Sequence, residues 1–237
     1  MMQRQNRSLD PMKCLALMFA IAIAPSALHA ATIYSVDDGS AETAVGQGNF
    51  GDFVWGNYFT VVPSGNILTE LEIAFASFGV SAGTPFEALV YDDLDDDGNP
   101  TTGLSLLTRL NATVQSPQAI PGVPTFETHD ITDTVVSGGF FIAVFMAGTG
   151  NPFPAPFDQT SDAGVGWFTE NNTIGALDTA NPFGTATLSG QPAAFGLPGN
   201  FLVRAVAIPE PGSAVLFAAG LVALALRQRS RRFRVPA

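Results

Sequence analysis

Cysteine is nearly absent from this sequence. Cys14 is the only one, and it lies in the N-terminal leader. The mature domain therefore has neither disulfides nor Cys-ligated zinc. Histidine is almost as scarce: His129 is the only one beyond residue 30, which excludes multi-His metal sites. Lysine is missing after Lys13. Eight of the ten basic residues crowd the two ends (Arg4, Arg7, Lys13, Arg227, Arg229, Arg231, Arg232, Arg234), and only Arg109 and Arg204 lie between. Segment 31–211 sets 20 acidic residues against those two Arg, a net charge of −18. Nucleic acid is excluded as a partner, because phosphate recognition needs a basic face. Unaided docking on anionic lipid is excluded for the same reason. Long stretches with apolar residues at helical spacing are missing too, so the body has no helical signature.

The ends carry the most specific information. Arg4, Arg7 and Lys13 precede an apolar run, Cys14 to Ala24, of 11 residues. That is signal-peptide length and too short to span a bilayer. Pro25 breaks the run, and Leu28-His29-Ala30 places a small residue for cleavage after Ala30. At the other end, Pro209-Glu210-Pro211 is followed by an apolar stretch, residues 212–226, and then by five Arg within positions 227–234. The stretch is short for a spanning helix, but Arg227 can snorkel to the interface. The Arg cluster stays cytoplasmic by the positive-inside rule.

This tail resembles the PEP-CTERM sorting signal of Gram-negative bacteria, carried here by Pro209, Glu210 and Pro211 together with Arg227, Arg229, Arg231 and Arg232. The resemblance implies an exosortase in the inner membrane as processing partner and a transient anchor through the C-terminal helix. It further implies delivery to the cell surface or extracellular matrix, in company with exopolysaccharide. Residues 1–30 thus read as signal peptide, 31–207 as one domain, and 208–237 as the sorting signal, with a transmembrane helix at 212–226.

Within the body, short apolar runs alternate with Gly, Pro and Asn at roughly ten-residue spacing, the pattern of an all-β sandwich or barrel. Strands are expected near 32–36, 53–62, 67–78, 86–92, 104–115, 124–131, 139–147, 163–168 and 200–207. Gly139 to Ala147 (GFFIAVFMA) is nearly all apolar, as a central strand covered on both faces requires. The expected fold is a two-sheet, jelly-roll-like sandwich, with helices only in the signal peptide and the tail. Residues 148–199, rich in Pro and Gly, are expected to form long loops with one or two short strands on one rim. The body also resembles uncharacterised secreted bacterial β-sandwich domains. The likeness rests on Asp37-Asp38-Gly39, Trp55-Gly56-Asn57-Tyr58-Phe59 and the Gly199 to Arg204 strand, and it brings no activity with it.

One segment carries candidate chemistry. Asp93, Asp95, Asp97 and Gly98 match the D-x-D-x-D-G opening of a calcium loop, in which alternate carboxylates converge on a hard cation and glycine permits the turn. The twelfth position is Leu104 rather than a bidentate Glu, so this is no EF-hand. Further oxygens would come from Asn99, backbone carbonyls, or Asp37 and Asp38. Five Asp within six residues repel one another without a cation. The alternative is a solvated acidic hairpin turn.

Weaker candidates follow. His129-Asp130 has no nucleophile elbow beside it. Glu70 and Glu72 share one face of a strand, the solvent face of a sandwich. Trp55, Tyr58 and Trp167 could stack on a sugar if exposed; Trp167, near the loop-rich segment, is the better candidate for exposure, whereas Trp55 lies beside Phe53 and reads as core. The function expected is that of a non-enzymatic surface or biofilm-matrix protein, with structural calcium as the single cofactor. The alternatives are a calcium-assisted carbohydrate-binding module and, behind it, a secreted hydrolase.

Overall fold

Alternating apolar and polar residues set the strands, and the side each apolar set faces sets the layers. The computed structural model describes residues 31–47, 51–63, 65–148 and 153–208. The signal peptide, Pro209-Glu210-Pro211, the helix expected at 212–226 and the Arg tail lie outside the described residues. Among the described residues, no helix is long and apolar enough to cross a membrane.

One sheet has four strands in the order β1 (Thr32–Tyr34), β13 (Val203–Ile208), β4 (Ile67–Ile73) and β7 (Glu127–Val135). A second has six, in the order β11 (Leu188–Gly190), β10 (Gly166–Asn171), β3 (Asp52–Thr60), β8 (Gly139–Met146), β5 (Pro85–Asp93) and β6 (Leu104–Thr113). A small third sheet joins β12 (Asn200–Phe201), β9 (Ala155–Asp158) and β2 (Thr43–Val45). All pairings within these sheets are antiparallel.

Setting aside β2 and β9 to β12 leaves eight principal strands. Counted along the chain, they form sheets of order 1-8-3-6 and 2-7-4-5. This is jelly-roll connectivity, two interleaved Greek keys. The all-β expectation therefore holds among the described residues, apart from a short 3₁₀ turn at Pro192–Phe195.

The inner faces of the two large sheets enclose the main core, which includes Trp55, Phe75, Phe140, Phe157 and Phe201, all fully buried. Asn57 lies in the midst of it. Its Nδ2 donates to the carbonyls of Phe201 (2.7 Å) and Val203 (3.1 Å), and its Oδ1 accepts from the Phe201 N–H (3.2 Å). One amide thus ties β3 to the chain entering the opposite sheet. Gly56 beside it allows β8 to approach: a Cβ there would lie 1.9 Å from the Ile142 carbonyl oxygen. The Trp-Gly-Asn sequence therefore encodes a core ring, a close strand approach and an inter-sheet tie.

The structure corrects one expectation about 148–199. β10 is a full member of the six-stranded sheet, and the segment after it, 172–187, does not project as a rim loop. It covers the outer face of that sheet. The cause is visible in the strands: Val54, Tyr58, Leu89, Tyr91, Phe141 and Ala143 point outward and are buried there with Leu177. Such a face is too apolar to leave in water. The cover is pinned by hydrogen bonds from the Leu177 N–H to Asp52 (3.0 Å), from the Tyr91 hydroxyl to the Thr179 carbonyl (2.6 Å), and from Arg109 to the Thr179 hydroxyl.

Candidate functional site

The acidic segment is the connection between β5 and β6. Asp93 closes β5, and Leu94 to Gly103 form the loop, closed by the Leu94 N–H on the Gly103 carbonyl (3.0 Å). Its five carboxylates divide into two sets. Asp92 and Asp96 face the turn between β7 and β8: Asp92 accepts from the Ser137 N–H and hydroxyl, and Asp96 from the Gly139 N–H. Asp96 holds a left-handed backbone (φ 54°), an uncommon conformation that Asp tolerates better than most residues. Asp93, Asp95 and Asp97 instead converge, with ligand oxygens all within 4.8 Å of one another.

Asp93 is buried (4% exposed), whereas Asp95 and Asp97 are exposed. Its Oδ2 accepts from the Tyr58 hydroxyl (2.8 Å) and the Gly98 N–H (3.2 Å). Its Oδ1 is buried with no donor in reach. The nearest partner on that side is another carboxylate, Asp95. Burial opposes the charge on Asp93, but the Tyr58 hydroxyl, then the Asp95 carboxyl and the Gly98 and Asp96 amides, outweigh it and hold the group below the ordinary carboxylate range. Asp95 is pushed above that range, first by the Asp93 carboxylate it faces. Burial, and then the Asp93 charge, raise the Tyr58 hydroxyl, which therefore stays a donor.

The other oxygens proposed from sequence are engaged elsewhere. Asn99 Oδ1 accepts from the Thr101 N–H (3.1 Å) and hydroxyl (2.7 Å), an Asx turn within the loop. Asp37 receives a bidentate ion pair from Arg204, whose guanidinium also lies 3.9 Å from the Phe126 ring centroid. Asp38 accepts from Ser40 and from the Thr160 hydroxyl.

The weaker candidates are placed as follows. Trp167 is half-buried on the outer face of the six-stranded sheet, edge-on to Phe183 (6.3 Å between centroids) in the 172–187 cover. The ring thus offers only part of its surface to solvent. Trp55 is core, stacked on Phe53 at 5.4 Å. His129 points between the sheets, edge-on to Phe86 (5.2 Å) and 3.6 Å from Glu127. Burial lowers its pKa, against the pull of Glu127, so the ring is neutral at pH 7. No hydroxyl is bonded to it among the described residues. Glu70 and Glu72 lie partly exposed on β4.

A further acidic centre, which sequence reading missed, is Asp158. It accepts from the N–H groups of Asp38 (2.9 Å), Thr160 (2.8 Å) and Ser161 (3.1 Å) and from both hydroxyls of Thr160 and Ser161. Every donor position around it is filled, so it is structural. The Asp-x-Thr-Ser spacing was its signal in the sequence.

The tail is decided by comparison. Residues 207–232 match the PEP-CTERM protein-sorting motif. This motif marks a protein exported and sorted to the cell surface through a membrane-anchored stage, with an exosortase as its processing partner. No curated protein matches the chain. The body is similar to several solved structures, among them the following two. One is the Clostridial cysteine protease Cwp84 after propeptide cleavage: 14% identity, TM-score 0.49, covering 76% of this chain and 40% of that one. The other holds the cysteine protease and lectin-like domains of Cwp84, a surface layer associated protein of Clostridium difficile: 13% identity, TM-score 0.43, covering 76% of this chain and 36% of that one. The chain thus spans less than half the length of either.

Proposed function

We propose that this chain is a non-enzymatic matrix protein, delivered by exosortase processing to the cell surface and held there among exopolysaccharide. The observation that carries the reading is the sorting motif at 207–232 behind a Lys-free acidic domain. An acidic surface stays soluble among anionic polymers and meets them through divalent cations rather than through direct ion pairs. The placement of the polar candidates supports the non-enzymatic part. His129 is neutral and packed against Phe86, and Asp158 is saturated with donors. The carbohydrate-binding alternative loses its aromatic platform, since Trp55 is core and Trp167 is half covered.

The test follows the chain in an exosortase-bearing host that makes exopolysaccharide. The parent is expected in the extracellular matrix fraction, shortened by loss of its C-terminal helix. A chain with Pro209, Glu210 and Pro211 all replaced by Ala is expected at full length in the inner membrane. In a strain unable to make exopolysaccharide, the processed protein is expected in the free medium instead. Equal distribution of parent and triple variant overturns the sorting reading. Unchanged location without exopolysaccharide overturns the matrix reading.

A further inference from the structure

We propose that the β5–β6 loop is a calcium site in which Asp93, Asp95 and Asp97 hold one Ca²⁺ and complete the attachment of the loop to the sandwich. The proposal is independent of any partnership with exopolysaccharide.

Geometry comes first. Calcium takes oxygens at about 2.3–2.6 Å, so two ligands of one ion lie at most about 5 Å apart. One carboxylate oxygen from each of Asp93, Asp95 and Asp97 can be chosen so that all three fall within 4.8 Å of one another. A cluster of surface carboxylates alone would not require an ion, but Asp93 is not at the surface. It is 4% exposed, and its buried Oδ1 has no hydrogen-bond donor. A buried anionic oxygen without a donor is a costly arrangement, and a second carboxylate facing it raises the cost. A bound cation reverses both terms together.

The surroundings are shaped for those oxygens. At Gly103 the backbone is left-handed (φ 70°), and a Cβ there would fall 2.2 Å from Asp95 Oδ1 and 3.1 Å from Asp93 Oδ1. The missing side chain leaves the two carboxylates room to meet. The remaining two Asp hold the loop in place: Asp92 on Ser137 and Asp96 on Gly139 fix it to the β7–β8 turn whether or not an ion is bound.

The donor set identifies the ion. All three ligands are carboxylates, with no His or Cys, which favours a hard cation over zinc or copper. Two of the three are exposed, so water fills the remaining coordination sites. A partly hydrated, loop-borne site suits the larger, geometrically tolerant Ca²⁺ better than Mg²⁺. The affinity expected is that of extracellular modules, about 10⁻⁴–10⁻³ M. Such a site fills only after export.

The test uses the full chain, purified in detergent and stripped with chelator. Calorimetric titration with CaCl₂ is expected to give one Ca²⁺ per chain. Calcium at a hundredfold excess over Kd should raise the melting temperature by roughly 5–10 °C. Terbium in place of calcium should show tyrosine-sensitised emission, because the Tyr58 hydroxyl lies 2.8 Å from Asp93 Oδ2. The exposed pair Asp95→Asn/Asp97→Asn should lose all three signals. In chelator this variant should melt no lower than the parent, since it removes like charges, which separates a lost site from a lost fold. The proposal is overturned by a parent that melts alike in calcium and chelator, by calcium binding that survives the double substitution, or by magnesium giving an equal rise.

Discussion

An Asn57→Ala chain is expected to lose about 4 kcal/mol of folding stability, a large share of the roughly 5–15 kcal/mol that holds a domain together. The amide is fully buried and makes three hydrogen bonds across the core. Removing it strands the Phe201 N–H and the Phe201 and Val203 carbonyls, each a buried polar group costing about 1–3 kcal/mol when left unpaired. The cavity adds to the loss. Asn57→Asp offers no rescue. It keeps an acceptor for the Phe201 N–H but deletes both donors and buries a charge. Asn111→Ala, on the exposed face of the edge strand β6, is the control and should change stability by under about 0.5 kcal/mol. Urea denaturation of the three chains against the parent gives the answer. An Asn57→Ala midpoint indistinguishable from that of Asn111→Ala would mean that the two sheets are not joined through this amide.

The framework of the fold was legible because it rests on periodicity. The jelly-roll strands fell close to where alternation put them, and GFFIAVFMA is the central strand β8, buried on both faces. Of the five strands of two to four residues, β1 and β12 fall within the expected strands 32–36 and 200–207, whereas β2, β9 and β11 were not legible, since so short a run carries no period. The misplacement of 172–187 has a more instructive cause. Pro and Gly break ladders, and a segment without ladders is expected on a rim. The missing step lay in other strands. Val54, Tyr58, Leu89, Tyr91 and Phe141 give β3, β5 and β8 a second apolar face, and a two-layer sandwich has nothing to put against it. A third layer had to come from the chain, and 172–187 was the segment free to supply it. Trp167 follows from the same omission, as part of the covered face.

The acidic loop was half legible. The spacing picked out Asp93, Asp95 and Asp97, and Gly98 takes the positive φ (78°) that a sharp turn asks of it. The roles of Asp92 and Asp96 depend on the β7–β8 turn, more than 40 residues away, and no local pattern reports that. Asn99 Oδ1 accepts from Thr101 in a local Asx turn, as Asp97 Oδ1 accepts from the Asn99 N–H (2.8 Å).

Asp158 gives the second large effect, and its signature is in the pH dependence. Burial opposes the charge on this carboxylate, but the Ser161 hydroxyl, the Asp38 amide and the Thr160 and Ser161 donors more than offset it, bringing the pKa down to about 2 from an ordinary 3.8. A group with a depressed folded-state pKa adds stability above its unfolded value and loses it as pH falls through the folded one. The contribution of Asp158 is therefore whole above about pH 4 and gone below about pH 2. At pH 7, Asp158→Ala leaves the three amides it caps without an acceptor and releases the Asp37-Asp38-Gly39 turn from β9. The expected loss is roughly 3 kcal/mol. Other carboxylates weaken the parent in acid as well, so the quantity to follow is the difference between parent and variant. Guanidinium titrations at pH 7, 5, 3.5 and 2.5 should show that difference steady down to about pH 4 and shrinking below it. A difference that stays constant to pH 2.5 would mean that the side chain acts through its size and not through its charge, and the donor shell around it would then need another explanation.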